Sequence, residues 1–452
     1  MVTQNIDATD SVYDAIIIGG GPAGSIAGLA LAKRGRKVLI LEKATFPRFH
    51  IGESFLPATF SLLRELGLEQ AFRELPHVPK FGADFAMGYG GKLLRINFED
   101  GFCPEYECFN IERNIFDEML LREAKKGGAE VRQLTVKNIS KLTDGDVRLE
   151  TEEGALRGKY LLDASGQQTV VGRHLGTKKN VTDPELKKVA YFSQFENVIR
   201  PTGREEGHPL IAMVDEGWFW MIPLNEKKTS VGIVLSADVA KRIMEEHSLK
   251  PDQMLQWAVE RTPVVKERMI NAKGVFVNNV IADFSYNCRP YAGDGHFLIG
   301  DAAAFMDPIF STGVSVAVNT SLAAAKFVDG ILSGSMTPAK ARRQYIADLE
   351  ESTGTLFKII RQYYDHSFRE LFIEGQGPFQ VHKAVIGVLA GNVFPRPPFK
   401  MRWRLKLFDL FVKWNRKKQL VPRRRKFSLL KNMQPEMQSE QMLQTAPMAQ
   451  VS

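Results

Sequence analysis

Tyr13-Asp14-Ala15-Ile16-Ile17-Ile18-Gly19-Gly20-Gly21-Pro22-Ala23-Gly24 is the stretch whose reading decides the fold. Its first half is almost wholly apolar and reads as a buried parallel strand. Its second half spells G-x-G-x-x-G through Gly19, Gly21 and Gly24. A helical run follows from Ala23 to Lys33, Gly35 closes it, and Lys37–Leu41 forms a second strand that ends at Glu42. Strand, glycine turn, helix, strand and acid, in that order, form the context in which this fingerprint binds a dinucleotide. Gly19 permits the tight turn, Gly21 lets the backbone approach a pyrophosphate, and Gly24 lets helix and strand pack closely. The helix N-terminus adds free N–H groups for the phosphates. Glu42 follows Gly19 by 23 residues and is placed to take both ribose hydroxyls. An acid there opposes a 2′-phosphate, so FAD or NAD fits better than NADP.

The chain has 452 residues, 44% hydrophobic and 25% charged, as expected of a soluble globular protein with room for two or three domains. No apolar run approaches the roughly 18 residues of a membrane-spanning helix. Residues 1–11 carry Asp7 and Asp10 and no apolar core, so no secretory signal is expected and a cytoplasmic location is. Cys103, Cys108 and Cys288 are too few and too irregularly spaced for a disulfide framework or a zinc site, and no metal is expected. Residues 400–431 hold thirteen Lys or Arg and one acid, Asp409, so this segment alone carries +12 and the rest of the chain −4 against a total of +8. The basic character belongs to one segment, and no nucleic-acid partner is expected.

Nearly three hundred residues beyond the glycine turn, Phe297-Leu298-Ile299-Gly300-Asp301-Ala302-Ala303-Ala304 reads as a buried strand, a Gly-Asp end and a small-residue helix start. Glu112-Arg113-Asn114-Ile115-Phe116-Asp117 contains R-x-x-F-D, and Tyr160-Leu161-Leu162-Asp163-Ala164-Ser165-Gly166 reads as another strand and turn. Together with the glycine fingerprint these segments resemble the FAD-dependent hydroxylase superfamily. The resemblance implies FAD, with Arg113 reaching the cofactor and Asp301 hydrogen-bonding its ribitol. The expected architecture is α/β: a discontinuous Rossmann-like FAD-binding domain (10–55, 108–179 and 276–336), a β-sheet substrate domain (56–107 and 180–275), a helical C-terminal region (337–432) and a disordered tail (433–452). Segments 187–200, 208–223 and 227–236 read as strands, 337–373 as helical, and 374–399, with Pro395, Pro397 and Pro398, as loop-rich.

Glu216-Gly217-Trp218-Phe219-Trp220-Met221-Ile222-Pro223 spells W-x-W-x-I-P. Positions two apart on a strand share a face, so Trp218 and Trp220 form one wall, and Pro223 ends the ladder because it has no N–H. This motif resembles that of the flavin-dependent halogenases, where the tryptophans keep the organic substrate off the flavin. Pro308-Ile309-Phe310-Ser311-Thr312-Gly313 is similar to the halogenase loop whose Thr-Gly amides, here Thr312 and Gly313, hold a chloride or bromide; such a nest needs no cationic side chain. Pro79-Lys80-Phe81-Gly82-Ala83-Asp84-Phe85 resembles the segment of the catalytic lysine, which makes Lys80 the residue that directs hypohalous acid onto the ring. Phe46-Pro47-Arg48-Phe49-His50-Ile51-Gly52-Glu53-Ser54 resembles the flavin-lining loop, and Arg48, His50, Gly52, Glu53 and Ser54 are read as cofactor-positioning residues. Tryptophan halogenases carry a glutamate where this chain has Phe310, which favours an electron-rich phenol or pyrrole, free or tethered to an acyl or peptidyl carrier protein. Asp163-Ala164-Ser165-Gly166 lacks the D-G of single-component hydroxylases, so reduced FAD is expected from a separate flavin reductase.

Trp403, Leu407, Leu410, Phe411 and Trp414 recur at helical spacing among Lys and Arg. Three readings of 400–431 stay open: a helix packed on the body with a cationic solvated face, a peripheral membrane contact, and a contact with an acidic carrier. Two rivals to halogenation also stay open, a reductase or monooxygenase of the same superfamily acting on a lipophilic substrate (geranylgeranyl-reductase-like), and a flavoprotein without turnover.

Overall fold

Tyr13–Ile18 takes the centre of an eight-stranded sheet, paired in parallel with Val38–Leu41 on one side and with Gly154–Asp163 on the other. His296–Leu298 extends the sheet in parallel beyond Gly154–Asp163, and Glu130–Arg132 extends it beyond Val38–Leu41. These relations come from a computed structural model that describes residues 12–181, 187–282 and 284–431. The tail expected to be disordered, 433–452, and the residues searched for a leader, 1–11, lie outside the described residues. Helix Pro22–Ala32 is buried along nearly its whole length because its small residues let it lie flat on the sheet. A Cβ on Gly24 would sit 1.8 Å from the Gly19 carbonyl oxygen, so only glycine lets the helix start against the strand end. Gly19 itself has φ +104°, a conformation open to glycine at little cost.

The second sheet runs Lys273–Gly274, Lys188–Glu196, Lys228–Ser236, Gly217–Pro223, Leu210–Val214, Gly82–Met87, Gly90–Asn97, with Asn279–Ala282 also paired to Lys188–Glu196. Its strands alternate strictly. Phe219, Met221, Val231 and Ile233 pack on one face against Leu255, Ala258 and Val265 of the helical layer. Trp218, Trp220, Phe192 and Ile211 face the other way, into a core shared with the C-terminal helices. The stretch 208–223, expected as one strand, is a hairpin of Leu210–Val214 and Gly217–Pro223. The turn between them is held from outside: the Asp215 carboxylate accepts from the Phe427 N–H at 3.2 Å and that of Glu216 from the Leu429 N–H at 3.0 Å.

Three other local expectations change. Gly300–Ala302 is a single 3₁₀ turn, not the start of a long helix; Ala304–Phe305 then pairs with Tyr286–Cys288, and the helix begins at Gly313. Helix Val381–Leu389 occupies part of the stretch expected as loop-rich, because its aliphatic run packs inward and Pro395, Pro397 and Pro398 come only after it. Helix Phe399–Lys418 forms, but it is buried through Met401, Phe408, Val412 and Asn415, so the stripe Trp403, Leu410, Trp414 faces outward. No helix among the described residues is long and apolar enough to cross a membrane.

The C-terminal helices are joined to the body by buried charge. Arg369 donates to the carbonyl oxygens of Val214 (2.7 Å) and Tyr363 (2.8 Å). Glu370, fully buried, accepts from Asn415 (2.9 Å), Arg423 (2.8 Å) and the Arg424 N–H (3.0 Å). Removing one partner of such a cluster strands the others without hydrogen bonds. Glu370→Leu should therefore destabilise the protein by about 3 kcal/mol, read by denaturant unfolding; a change below about 1 kcal/mol would show that the cluster does not hold these helices.

Candidate active site

The glycine turn and the tryptophan pair border one cavity of about 580 Å³, bounded by Gly19, Gly21, Glu42, Arg48, Arg113, Asp301 and Gly313 as well as Trp218 and Trp220. His50, Gly52, Glu53 and Ser54 border it too. Lys80, Pro223 and Thr312 do not, although Ser54, Ile222 and both neighbours of Thr312 do. Sequence positions from 18 to 317 thus meet around one space.

At the turn, the Glu42 carboxylate accepts from the Gly20 N–H at 2.7 Å and the Ala44 N–H at 2.8 Å, which braces the loop as well as presenting an acid to the cavity. Arg113 opens helix Arg113–Lys126 and forks onto Asp117 at 2.7 and 2.9 Å, with a third bond to the Ile51 carbonyl at 3.0 Å. That bond fixes the loop carrying Gly52, whose φ of +108° turns the backbone toward the cavity. His50 is held by a 2.6 Å contact between Nδ1 and the Ile51 carbonyl, and burial beside Arg113 lowers its pKa to about 4, so it is neutral at pH 7. Burial raises Glu53 to about 7 even though Gln194 donates to it at 2.9 Å; its second oxygen has no protein partner. Burial also raises Asp301 to about 7, opposed by Arg113. A cavity of this volume with a glycine turn at one end and an orphaned buried carboxyl oxygen beside it fits a dinucleotide that supplies polar atoms of its own.

The helix Gly313–Leu332 starts at the cavity with no side-chain cap on its first turn, so its leading N–H groups are available to an anion. Ser311, at φ +56°, sets the preceding turn, and the Asp307 carboxylate fixes it by accepting from the Ile309 N–H at 3.0 Å.

The tryptophan wall is pinned at both indole nitrogens. Trp218 and Trp220 have ring centroids 5.8 Å apart, and Phe192 lies 5.8 Å from Trp220. The Trp220 N–H donates to Ser230 Oγ at 3.2 Å, and its ring lies over Gly232, where a Cβ would approach within 2.3 Å. The Trp218 N–H donates to the Tyr364 hydroxyl at 3.1 Å; that hydroxyl in turn donates to the buried Asp307 carboxylate. The Lys188 ammonium stands 3.8 Å from the centre of the Tyr364 ring. Burial raises the Asp307 carboxyl, and burial with the adjacent Asp307 holds the Tyr364 phenol well above its usual value. One carboxylate therefore ties the Trp218 side of the wall to the turn that starts the Gly313 helix. Sequence reasoning missed Tyr364, Asp307 and Ser230, which no local motif marks, and it passed over Gly232, an isolated glycine within a strand pattern that could have signalled a close approach.

Lys80 ends the short strand Val78–Lys80 and is buried. Its ammonium donates to Ser54 Oγ at 2.9 Å and to the Phe55 carbonyl at 2.8 Å, and burial lowers its pKa. Ser54 thus stands between the ammonium and the cavity.

The FAD binding domain family model matches residues 12–340. The chain is 34% identical over 343 residues to the 1H-pyrrole-2-carbonyl-[peptidyl-carrier protein] brominase of Pseudoalteromonas luteoviolacea, covering 74% of this chain and 82% of that protein. It is 29% identical over 386 residues to the 1H-pyrrole-2-carbonyl-[peptidyl-carrier protein] chlorinase of Pseudomonas fluorescens, covering 79% and 84%. Its fold superposes on the flavin-dependent brominase Bmp2 with a TM-score of 0.77 at 28% identity, over 88% of this chain and all of that one. With its α/β dinucleotide fold, its FAD cavity and these relatives, the chain belongs to the flavin-dependent halogenases, FAD-dependent oxidoreductases of the Rossmann-like class.

Proposed function

We propose that this halogenase chlorinates or brominates an electron-rich aromatic ring, a phenol or a pyrrole carried on an acyl or peptidyl carrier protein, using reduced FAD from a separate flavin reductase. The observation that carries the reading is the rigid indole wall of Trp218 and Trp220 along the FAD cavity, each nitrogen tied to a different element. FAD, when bound and reduced, supplies with O₂ the oxidation of halide to hypohalous acid. The residues of this chain do the rest. The uncapped amides at Thr312 and Gly313 hold the halide by the partial positive charge of a helix N-terminus. The two indoles deny an aromatic ring access to the flavin while leaving room for a small acid to pass. Lys80, with its ammonium destabilised by burial and anchored on Ser54, hydrogen-bonds the hypohalous acid and presents the halogen to the ring. Phe310 is buried against Tyr363 and offers no carboxylate to a weakly activated substrate, which supports a phenol or pyrrole. The carrier is supported by the substrates named for the two relatives from Pseudoalteromonas and Pseudomonas.

Purified protein given chemically reduced FAD, O₂ and chloride or bromide should form hypohalous acid captured by a chemical trap; absence of product with both halides would overturn the reading. Lys80→Ala should keep FAD affinity and trap yield but lower ring halogenation at least about 100-fold, and an active variant would remove Lys80 from the reaction. Tyr364→Phe frees the Trp218 N–H and the Asp307 carboxylate together, so halogenated product per reduced FAD consumed should drop roughly tenfold while hydrogen peroxide rises; an unchanged ratio would show that the wall does not need this anchor.

Glu53 gives a pH test in the FAD-free protein. Its carboxyl keeps its proton up to about pH 7 when folded, against an ordinary value of 4.5, so stability falls as pH climbs between those values. Glu53 should cost about 3 kcal/mol above pH 7 relative to pH 4. Asp301 acts in the same direction and His50, held neutral, acts against both, so Glu53→Gln should make the fall of urea-unfolding stability between about pH 5 and 7 shallower by about 1 kcal/mol per pH unit; an identical slope would place Glu53 outside this balance.

A further inference from the structure

Helix Phe399–Lys418 has two apolar faces and only one of them is used by the fold. Met401, Phe408, Val412 and Asn415 are buried against the body. On the opposite side Phe399 is 73% exposed, Trp403 37%, Leu410 39% and Trp414 48%. At 1.5 Å per residue the two tryptophans stand about 16 Å apart along a straight line of aromatic and aliphatic tips. Cations flank that line on both sides: Lys406, Lys413 and Lys417 run along one edge, and Lys400, Arg404 and Lys418 along the other. The guanidinium of Arg404 also lies 4.1 Å over the Trp403 ring. Asp409, the only acid in the helix, lies between Lys358 at 3.0 Å and Lys413 at 3.5 Å, so it offsets part of the charge of that edge and leaves no unpaired carboxylate on the outer face. Phe379, 64% exposed, joins the same surface, since its carbonyl accepts from Arg404 at 2.8 Å.

We propose that this outer face seats the protein on an anionic lipid surface, with the helix lying in the plane of the bilayer. Large apolar tips at the centre and long basic side chains at the margins match an interface in which hydrocarbon lies beneath a layer of negative headgroups. The two tryptophans of the stripe suit the headgroup boundary, where an indole buries its ring and keeps its N–H hydrated. A second copy of the chain fits poorly, because cations border the stripe on both sides and pairing two stripes would press lysine rows together. A folded protein partner fits less well than a bilayer, since its anchors sit in pockets and this face is a straight convex ridge. The basic excess of 400–431, reduced where Arg416, Arg423 and Arg424 pair with Asp365, Glu370 and Glu374, adds long-range attraction to the same membrane.

The test is co-sedimentation of the full chain with phosphatidylcholine vesicles, with and without phosphatidylglycerol. Binding should require the anionic lipid and weaken as salt rises. Trp403→Ala with Trp414→Ala should lower the partition coefficient at least tenfold, and Lys406→Gln, Lys413→Gln with Lys417→Gln should lower it severalfold and flatten the salt dependence. All these variants should keep FAD content and hypohalous acid formation, since none of the residues borders the FAD cavity. No binding to any vesicle, or equal binding by the tryptophan variant, would overturn the proposal. So would a stable dimer in solution that Trp403→Ala dissolves, or an acidic carrier protein that binds the wild-type chain in place of vesicles and loses the same variants.

Discussion

The register of one strand governs the molecule. Along Gly217–Pro223 the odd positions Phe219 and Met221 belong to the helix-backed core, and the even positions Trp218 and Trp220 belong to the cavity. Side chains alternate with period two, so a slip of one residue would bury the indoles in the wrong layer and expose Phe219 to the cofactor. Pairing with Lys228–Ser236 along seven consecutive positions, Gly217 to Leu235 through Pro223 to Thr229, fixes that register. Glycine enforces it twice. A Cβ at Gly217 would lie 1.8 Å from the Val234 carbonyl oxygen, and one at Gly232 would strike the Trp220 ring.

The same wall depends on a part of the chain remote from it. Tyr364 caps the long helix Pro338–Tyr363, and its hydroxyl joins Trp218 to Asp307. The next helix, His366–Glu374, carries Arg369 and Glu370, which fasten the C-terminal region to the hairpin strand at Val214 and to the Arg423–Arg424 segment. Buried charges of this kind tolerate little movement because displacing one leaves its partners desolvated and unpaired. The C-terminal helices thus act as a buttress that sets where Trp218 points and where the turn before Gly313 lies.

Much of this was legible in the residues. The expectation for Asp301 came from the resemblance to the FAD-dependent hydroxylase superfamily, whereas the glycine fingerprint and the parallel strands could be read because each is a local pattern with a physical cause, a missing Cβ or an apolar run. The indole pair was readable for the same reason, since two tryptophans at alternate positions must share a face. The hairpin at Asp215 was not, because the contacts that bend it come from Phe427 and Leu429 more than two hundred residues away. Tyr364 was invisible for a similar reason, being 146 positions from its indole partner. Helix Phe399–Lys418 shows a different limit. Periodicity put Trp403, Leu407, Leu410, Phe411 and Trp414 on one stripe, but the structure splits it: Leu407 and Phe411 pack against the core beside the buried Met401, Phe408 and Val412, and Trp403, Leu410 and Trp414 stay outside.

The chain order of the cavity has a consequence for how the protein is made. The sheet that receives the cofactor has Tyr13–Ile18 at its centre and is finished by His296–Leu298, and the cavity itself is completed only by residues up to Ala317. A ribosome adding about 5–20 residues per second needs roughly a quarter of a minute to a minute to move from one to the other. Throughout that interval the glycine turn exists without the elements that close over it, so a nascent chain has little with which to retain FAD. Cofactor loading is therefore a late event in synthesis, and chains truncated before the Gly313 helix should emerge without flavin however intact their N-terminal fingerprint.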